Sequence, residues 1–529
     1  MSAGRFALAC SVALAWSSVG FAAPGNGASA DRAQGLIKSH AAAARLSSAD
    51  RFEVRDVVVD RDGTEHVRFS RSFGGLPVIG GDLVVHSRSG QFKSVSVSQS
   101  KAASVSLKAI VSDADAVVAA GAEFGPNFTG VPFVSQVVYA RGPGTPRLAW
   151  EVRMDGGDGL GNPVAMTYIV DARNGHVLDR WSRLETIKPV APANCIGDLP
   201  QAGKGHALYS GDVTLVTARC GSNLYQMRDP SRGNASTTNM GNGTSGTGAL
   251  FTDADNVWGR GKGNNDPVAS GADAHYGVAS TWDYFAQVHG RLGVDGKGNG
   301  TTARVHYGQN YVNAFWSEEC YCVSFGDGDG RTWGPMANLD IAGHELSHGI
   351  TSRTAGLIYS GESGALNEAT SDIFGAMVEL HANNALDRPD YTIGEEIFLQ
   401  GGGKALRYMY RPSLDGASSD CWSSNVATRD VHYGSGVANH FFYLLAEGAK
   451  APAGYPYSAS TLVCNGNTAL AGIGHEMAEK IWYRALSIYF TSDTDYAAAR
   501  VATVQAATDL YGDSVAASVG RAWSAVNVY

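Results

Sequence analysis

Apolar and polar positions alternate through "HVRFSRSFGGLPVIGGDLVVH" (66–86), "RLAWEVRM" (147–154) and "MTYIVDARNGHVL" (166–178). A period of two in short runs broken by Gly predicts strands. Strand-rich, Gly-rich sequence continues to about residue 330, after which apolar residues recur at helical spacing, as in "DYAAARVATVQAATDLYG" (495–512). The pattern therefore predicts an α+β chain whose later part divides into a strand-rich lobe and a mainly helical lobe. Two stretches interrupt it. "MSAGRFALACSVALAWSSVGFAAPG" (1–25) has one early Arg5, an apolar run and small residues before Pro24, which predicts a secretory leader, residues 1–23, cut near Ala22 or Ala23. "LETIKPVAPANC" (184–195) reads as an exposed, Pro-containing linker. No later segment reaches membrane-spanning length, and no binding module is expected after "AWSAVNVY" (522–529).

Candidate chemistry enters at "IAGHELSHGI" (341–350). Residues four apart share a helix face, so His344 and His348 can aim two imidazoles at one metal ion, with Glu345 beside its open position as a general base. The pattern also arises by accident: in "GHEMAE" (474–479) His475 and Glu476 begin it, but Glu479 stands where the second His belongs. A third ligand separates the two cases. Glu368, in "SGALNEATSD" (363–372), follows His348 after 19 residues on what reads as another helix. Two His and one Glu leave a fourth position for water, the catalytic rather than the closed arrangement. Asp372, one turn beyond Glu368, can hold the outer nitrogen of a ligating His and fix its tautomer.

With these residues in place, the chain resembles the thermolysin-like secreted zinc metalloendopeptidases. "HYGQNYVNAFW" (306–316), "FGDGDG" (325–330), "LDIAGHELSHGI" (339–350), "AGLIYSGESGALNEATSDIFG" (355–375), "LRYM" (406–409) and "DVHYGSGVANHFFYLL" (430–445) look like that family's blocks in its order. The resemblance implies His344, His348 and Glu368 as zinc ligands, Glu345 as the base, and His432 and Tyr359 as stabilisers of the developing oxyanion. It also implies Asp430 as the carboxylate orienting His432. Asn313 and the Ala314 carbonyl would hold the substrate backbone, and Arg407 a substrate carbonyl. Trp333, Met336, Ile341 and Leu406 would form an apolar wall favouring cleavage before bulky hydrophobic residues. The Asp329–Asp340 loop is one residue shorter than the thermolysin pattern. Calcium is implied at Asp340, Glu379, Asp390 and Glu395, a set of oxygen donors suited to a hard cation. Thr392 stands where the family has a further carboxylate, so one ion is expected there, with the Thr392 carbonyl as a ligand. Asp253 and Asp255 match a second calcium site of some members.

The same resemblance makes residues 24–105 and 106–187 a two-part α+β propeptide, 188–349 a catalytic lobe containing the zinc helix, and 350–529 a helical lobe. Maturation is expected between residues 184 and 203, by the enzyme itself. Partners are then protein and peptide substrates and the chain's own propeptide, which chaperones and inhibits; a secreted monomer is expected. Six cysteines follow the leader, and an even set in a secreted chain reads as disulfides, with 15 possible pairings. Sequence order and the resemblance together favour Cys195 with Cys220 and Cys421 with Cys464, which leaves Cys320 and Cys322 either as a tight pair or, since the "ECYC" insertion sits beside the substrate edge, bridging elsewhere. Zinc binding by these cysteines is the competing reading, set against an oxidising compartment and a ready His2Glu site. The net charge of −9, without a basic stripe, argues against nucleic acid as a partner. Two other classes stand beside the endopeptidase. An aminopeptidase of the same ligand spacing would need a grip on a free amine, of which the sequence holds no motif. An inactive binding or chaperone protein would be expected to lack Glu345, Glu368 or His432, and all three are present.

Overall fold

The computed structural model describes residues 26–157, 163–184, 199–262, 266–401 and 403–529; the expected leader, most of the linker and Cys195 lie outside them. In the N-terminal part, helix α1 (Asn26–Ser39) precedes strands β1 (Asp50–Val59), β2 (Thr64–Phe73), β3 (Leu76–Ile79), β4 (Leu83–Arg88) and β5 (Gln91–Val97). Helix α2 (Asp113–Phe124) then precedes β6 (Phe128–Tyr139), β7 (Arg147–Gly157), β8 (Pro163–Asp171) and β9 (Val177–Ser182). All nine strands form one sheet, because β3 pairs in parallel with β6 through Val78 with Val138 and Ile79 with Tyr139. The two expected halves are thus joined by a long-range pairing.

Although apolar and polar positions alternate along β2, the strand is buried almost throughout. Val67 and Phe69 pack with Ala33 and Ile37 of α1. On the other face, Arg68 Nη2 donates to the Ser487 carbonyl at 3.3 Å, and the His66 ring lies 6.1 Å from that of Tyr489. Beside them Arg484 clamps Asp60 with bonds of 2.6 and 2.7 Å. His66 and Arg68 of β2 therefore face the C-terminal part instead of water.

That C-terminal part begins with a five-stranded sheet built on Leu199–His206 and Asp212–Gly221, and a six-stranded sheet whose edge strand is Ala314–Ser317. Helix α3 (Pro267–His289) packs beneath, and helices α4 (Leu339–Ser352) and α5 (Gly361–Ala382) follow. One continuous apolar core runs through both lobes. Among the described residues no helix is long and apolar enough to cross a membrane. Cys421 is joined to Cys464 and Cys320 to Cys322.

Helix α4 decides the site. Leu339 to Thr351 are all buried, although the helix carries Asp340, His344, Glu345 and His348. Buried charges and imidazoles demand partners, and α5 supplies them because glycines let it approach. A Cβ at Gly375 would lie 2.6 Å from the Asp340 carbonyl oxygen, and one at Gly343 3.0 Å from the Gly375 Cα. Gly375→Val is therefore expected to spread the helices, cost about 1–3 kcal/mol and lower bound zinc. Urea unfolding and metal analysis check this; unchanged stability with full zinc content would show that the contact tolerates a side chain.

Candidate metal centre and substrate cleft

Three ligand atoms converge between α4 and α5. His344 Nε2 and His348 Nε2 are 3.1 Å apart, Glu368 Oε2 is 3.6 Å from the first, and Glu368 Oε1 is 3.3 Å from the second. Tetrahedral bonds of about 2.0–2.2 Å to zinc would separate ligand atoms by about 3.3–3.6 Å. The donor set therefore fits the ion with shifts of a few tenths of an ångström. Glu368 is 1% exposed, and its Oε2 is buried with no hydrogen-bond partner, as a carboxylate oxygen reserved for a cation would be.

The outer nitrogens are fixed. His344 Nδ1 donates to Asp372 Oδ1 at 2.8 Å, and His348 Nδ1 donates to Asn367 Oδ1 at 2.7 Å. Asn367 Nδ2 donates to the Leu357 carbonyl at 2.9 Å, so the amide oxygen must face the imidazole. Both inner nitrogens then carry lone pairs toward the metal position. In the sequence, the only signal of Asn367 is its adjacency to Glu368. Asn367→Ala is expected to weaken zinc binding by about 10–100-fold, read by competition with a chelator, while an unchanged affinity would assign the orientation of His348 to other contacts.

Asp372 is fully buried and accepts more than the expected bond from His344. Arg407 grips it through Nε at 2.7 Å and Nη2 at 2.6 Å, and Asn439 Nδ2 donates at 2.7 Å. Burial pushes its pKa up, but the Arg407 charge and the hydrogen bonds from His344 and Arg407 outweigh it, holding the carboxyl far below the usual range. Arg407, expected as a grip for a substrate carbonyl, lines the cleft and is also this clamp.

Across the cleft, Asp430 caps the one-turn helix Val431–Gly434 and accepts from the His432 backbone at 3.0 Å and from its Nδ1 at 2.7 Å. His432 is about half exposed (49%), and its Nε2 lies 3.2 Å from the Tyr359 hydroxyl, which donates to Glu368. The Glu368 charge raises the His432 pKa against burial, and the Asp430 bond adds to the rise.

These groups line a cavity of about 320 Å³. Asn313 and Ala314 form one edge; Met336, Ile341, Leu406 and Ile393 form an apolar side, Ile393 being an addition to the sequence expectation. Trp333 does not line it. Instead it pairs with Phe398 through a backbone bridge, with ring centroids 5.2 Å apart. Ser182 and Leu184 of the N-terminal part also line the cavity, so that part reaches the cleft itself.

The acidic cluster is larger than expected. Oxygens of Glu379, Asp390 and Glu395 lie within 4.8 Å of one another. Asp340 Oδ2 accepts the Gly394 N–H at 2.5 Å. Asp387, absent from the sequence expectation, is completely buried beside Glu379 and the Leu339 backbone, with Glu396 and Asp390 as repelling neighbours. Burial first, and then the neighbouring carboxylates, push Asp340 up to about 8 and Glu379 and Glu395 well up. Asp387 rises to about 6. Oxygen donors that repel one another in a buried nest fit a calcium ion. Thr392 meets the nest through its hydroxyl, 2.7 Å from Asp390 and 2.9 Å from Glu395. Asp253 accepts the backbone N–H groups of Asp255, Asn256 and Val257, and Asp255 that of Val257, a local turn.

Two lobes meeting at an H-E-x-x-H helix, completed by a Glu from the next helix, define a metallopeptidase of the His2Glu class. Residues 202–352 match the family "Thermolysin metallopeptidase, catalytic domain", residues 355–528 "Thermolysin metallopeptidase, alpha-helical domain", and residues 50–99 "Fungalysin/Thermolysin Propeptide Motif". The chain belongs to the thermolysin family of zinc metalloendopeptidases, in a form that carries a propeptide motif. It is 44% identical over 493 residues to a transglutaminase-activating metalloprotease of Streptomyces mobaraensis, covering 91% of this chain and 62% of that relative, less than two thirds of its length. Thermolysin of Alicyclobacillus acidocaldarius subsp. acidocaldarius is 36% identical over 498 residues, covering 89% of this chain and 84% of the relative. A solved precursor of protealysin from Serratia proteamaculans is 32% identical over 56% of this chain and 87% of its own, with a TM-score of 0.44.

Proposed function

We propose that this chain is a self-processing zymogen whose mature part hydrolyses internal peptide bonds of proteins, preferring bulky hydrophobic residues just after the scissile bond. The observation that carries this reading is the convergence of His344, His348 and Glu368 at zinc-ligand spacing inside a cleft with one apolar side. Zinc, when bound, supplies a Lewis acid that polarises the water and the scissile carbonyl. The chain's own residues do the rest. Glu345, 7% exposed and facing the cavity, takes the proton from the attacking water and returns it to the leaving amine. His432, with Nδ1 held by Asp430, and Tyr359 donate hydrogen bonds to the oxyanion as charge develops. Asn313 and Ala314, at the edge strand, pair with the substrate backbone. Met336, Ile341, Ile393 and Leu406 receive the hydrophobic side chain.

In this reading residues 24–187 chaperone folding and block the cleft, supported by Ser182 and Leu184 at its wall. Residues 1–23 direct export, the linker is cut between 184 and 203, and the enzyme works outside the cell as a monomer, away from membranes. One zinc and one calcium ion complete it. The purified full chain is expected to shorten to a form beginning between residues 184 and 203 and then to cleave casein, both stopped by a zinc chelator. Peptide-library cleavage is expected to show Leu, Phe or Ile after the cut bond. Processing and cleavage that continue with zinc removed, or a flat profile at that position, would contradict the reading.

A further inference from the structure

Where the N-terminal part meets the loop entering α5, Arg141 reaches across with its whole guanidinium group. Nε donates to Asp493 Oδ1 at 2.8 Å; Nη2 donates to the Ser360 carbonyl at 3.1 Å and to Ser363 Oγ at 2.9 Å; Nη1 donates to Asp179. The next backbone N–H, of Gly142, donates to the second Asp493 oxygen at 3.1 Å. Asp179, on β9, also accepts from Ser360 Oγ at 3.0 Å, closing the ring of acceptors. The Arg141 side chain is only 9% exposed, although it borders a cavity of about 580 Å³ between the two parts. Gly80 makes the room: a Cβ there would lie 2.7 Å from the Arg141 Cγ.

Three of these acceptors, Asp493, the Ser360 carbonyl and Ser363, belong to the catalytic part, and they sit beside Tyr359 at the entrance to the helix that carries Glu368. Their directions suit a flat fork of N–H groups. An ammonium, donating from a single atom, could not reach both Asp493 and the Ser360–Ser363 turn. We propose that Asp493, Ser360 and Ser363 form a guanidinium-binding site of the catalytic part, that Arg141 is its ligand, and that this contact sets most of the residence time of the N-terminal part after the linker is cut. The proposal rests on reading that part as the enzyme's own inhibitor.

A second contact provides the comparison. Asp60 is also clamped, by Arg484, but Asp60 is 26% exposed and Arg484 keeps Asp509 as an alternative partner. Losing Asp60 strands less.

The test uses the full chain carrying Glu345→Gln and a site-specific protease sequence placed between residues 185 and 198. It is cut after purification and immobilised by its C-terminus, and loss of the N-terminal part is followed with time. Truncating one partner of a buried, hydrogen-bonded charge pair acts mainly on dissociation, so Arg141→Ala and Asp493→Asn are each expected to speed release by about 30-fold or more. Arg141→Lys should fall between wild type and Arg141→Ala, and Asp60→Ala should change release by less than Arg141→Ala. Wild-type residence times for both Arg141→Ala and Asp493→Asn, or a larger effect from Asp60→Ala, would overturn the proposal. If Arg141→Ala does not accumulate as a folded chain, Asp493→Asn, on the opposite side of the contact, decides alone. Because release is read as binding, an inert catalytic centre leaves this test standing, and casein cleavage by the unsubstituted chain tests the catalytic reading separately.

Discussion

Glu345→Gln is expected to lower casein cleavage by about 10²–10⁴-fold, the usual worth of a positioned general base, while zinc content stays at the wild-type level. The substitution keeps side-chain volume and removes only the ability to take a proton. Glu345 faces the cavity from α4, and the ligand set of His344, His348 and Glu368 does not include it. Glu368→Gln is the contrast. It removes the charge from the carboxylate that completes the metal site, so activity and bound zinc should fall together. Metal analysis beside the cleavage assay separates the two effects. The Glu345→Gln chain should also stay full length, because processing needs the same chemistry. A Glu345→Gln chain that matures and cleaves like wild type would remove the base from the mechanism; one that loses zinc would recast Glu345 as part of the metal's surroundings.

The parts of this site readable from sequence are those set by one helix's own periodicity. His344, Glu345 and His348 share a helical turn, as do Glu368 and Asp372, and spacing alone places each group on one face. What sequence did not reveal depends on how separate elements dock. Asn367 matters only because α5 approaches α4 closely enough for its amide to reach His348, and Gly343 and Gly375 permit that approach. Arg407 and Asn439 converge on Asp372 from two further segments. Trp333 stands against Phe398 instead of in the cleft, a long-range pairing that its local pattern does not mark. In β2 alternation distinguishes two faces but cannot tell water from a polar interface, and here the second face is buried. The parallel contact of β3 with β6 joins residues about 60 apart in sequence through two short segments, and such pairings carry no local signal.

Removing calcium from the mature chain with a calcium-selective chelator, zinc being kept present, is expected to lower Tm by about 6 °C, since a tightly held ligand adds about 4 kcal/mol at a thousandfold excess over its Kd. The loss should grow with pH. In the cation-free nest, burial and mutual repulsion raise Asp340 to about 8 and Asp387 to about 6, with Glu379 and Glu395 also well above their ordinary values. The folded, cation-free chain then binds more protons than the unfolded chain. Stability contributed by these groups is therefore fully present below about pH 4 and is lost as pH rises toward 8. Bound calcium removes that penalty by pairing the ionised carboxylates, so the calcium-loaded chain should show no such decline. Thermal unfolding at pH 5, 6.5 and 8, with and without the chelator, reads the difference; a chelator effect that is constant or shrinks between pH 5 and 8 would contradict a cation nest. Asp387→Asn sharpens the test, because Asp387 is wholly buried among carboxylates that repel it. Removing that charge should stabilise the chelated chain at pH 8 while weakening calcium affinity, so the same substitution should raise Tm in chelator and lower it at limiting calcium. A carboxylate kept only for packing or hydrogen bonding would not change sign with the ion.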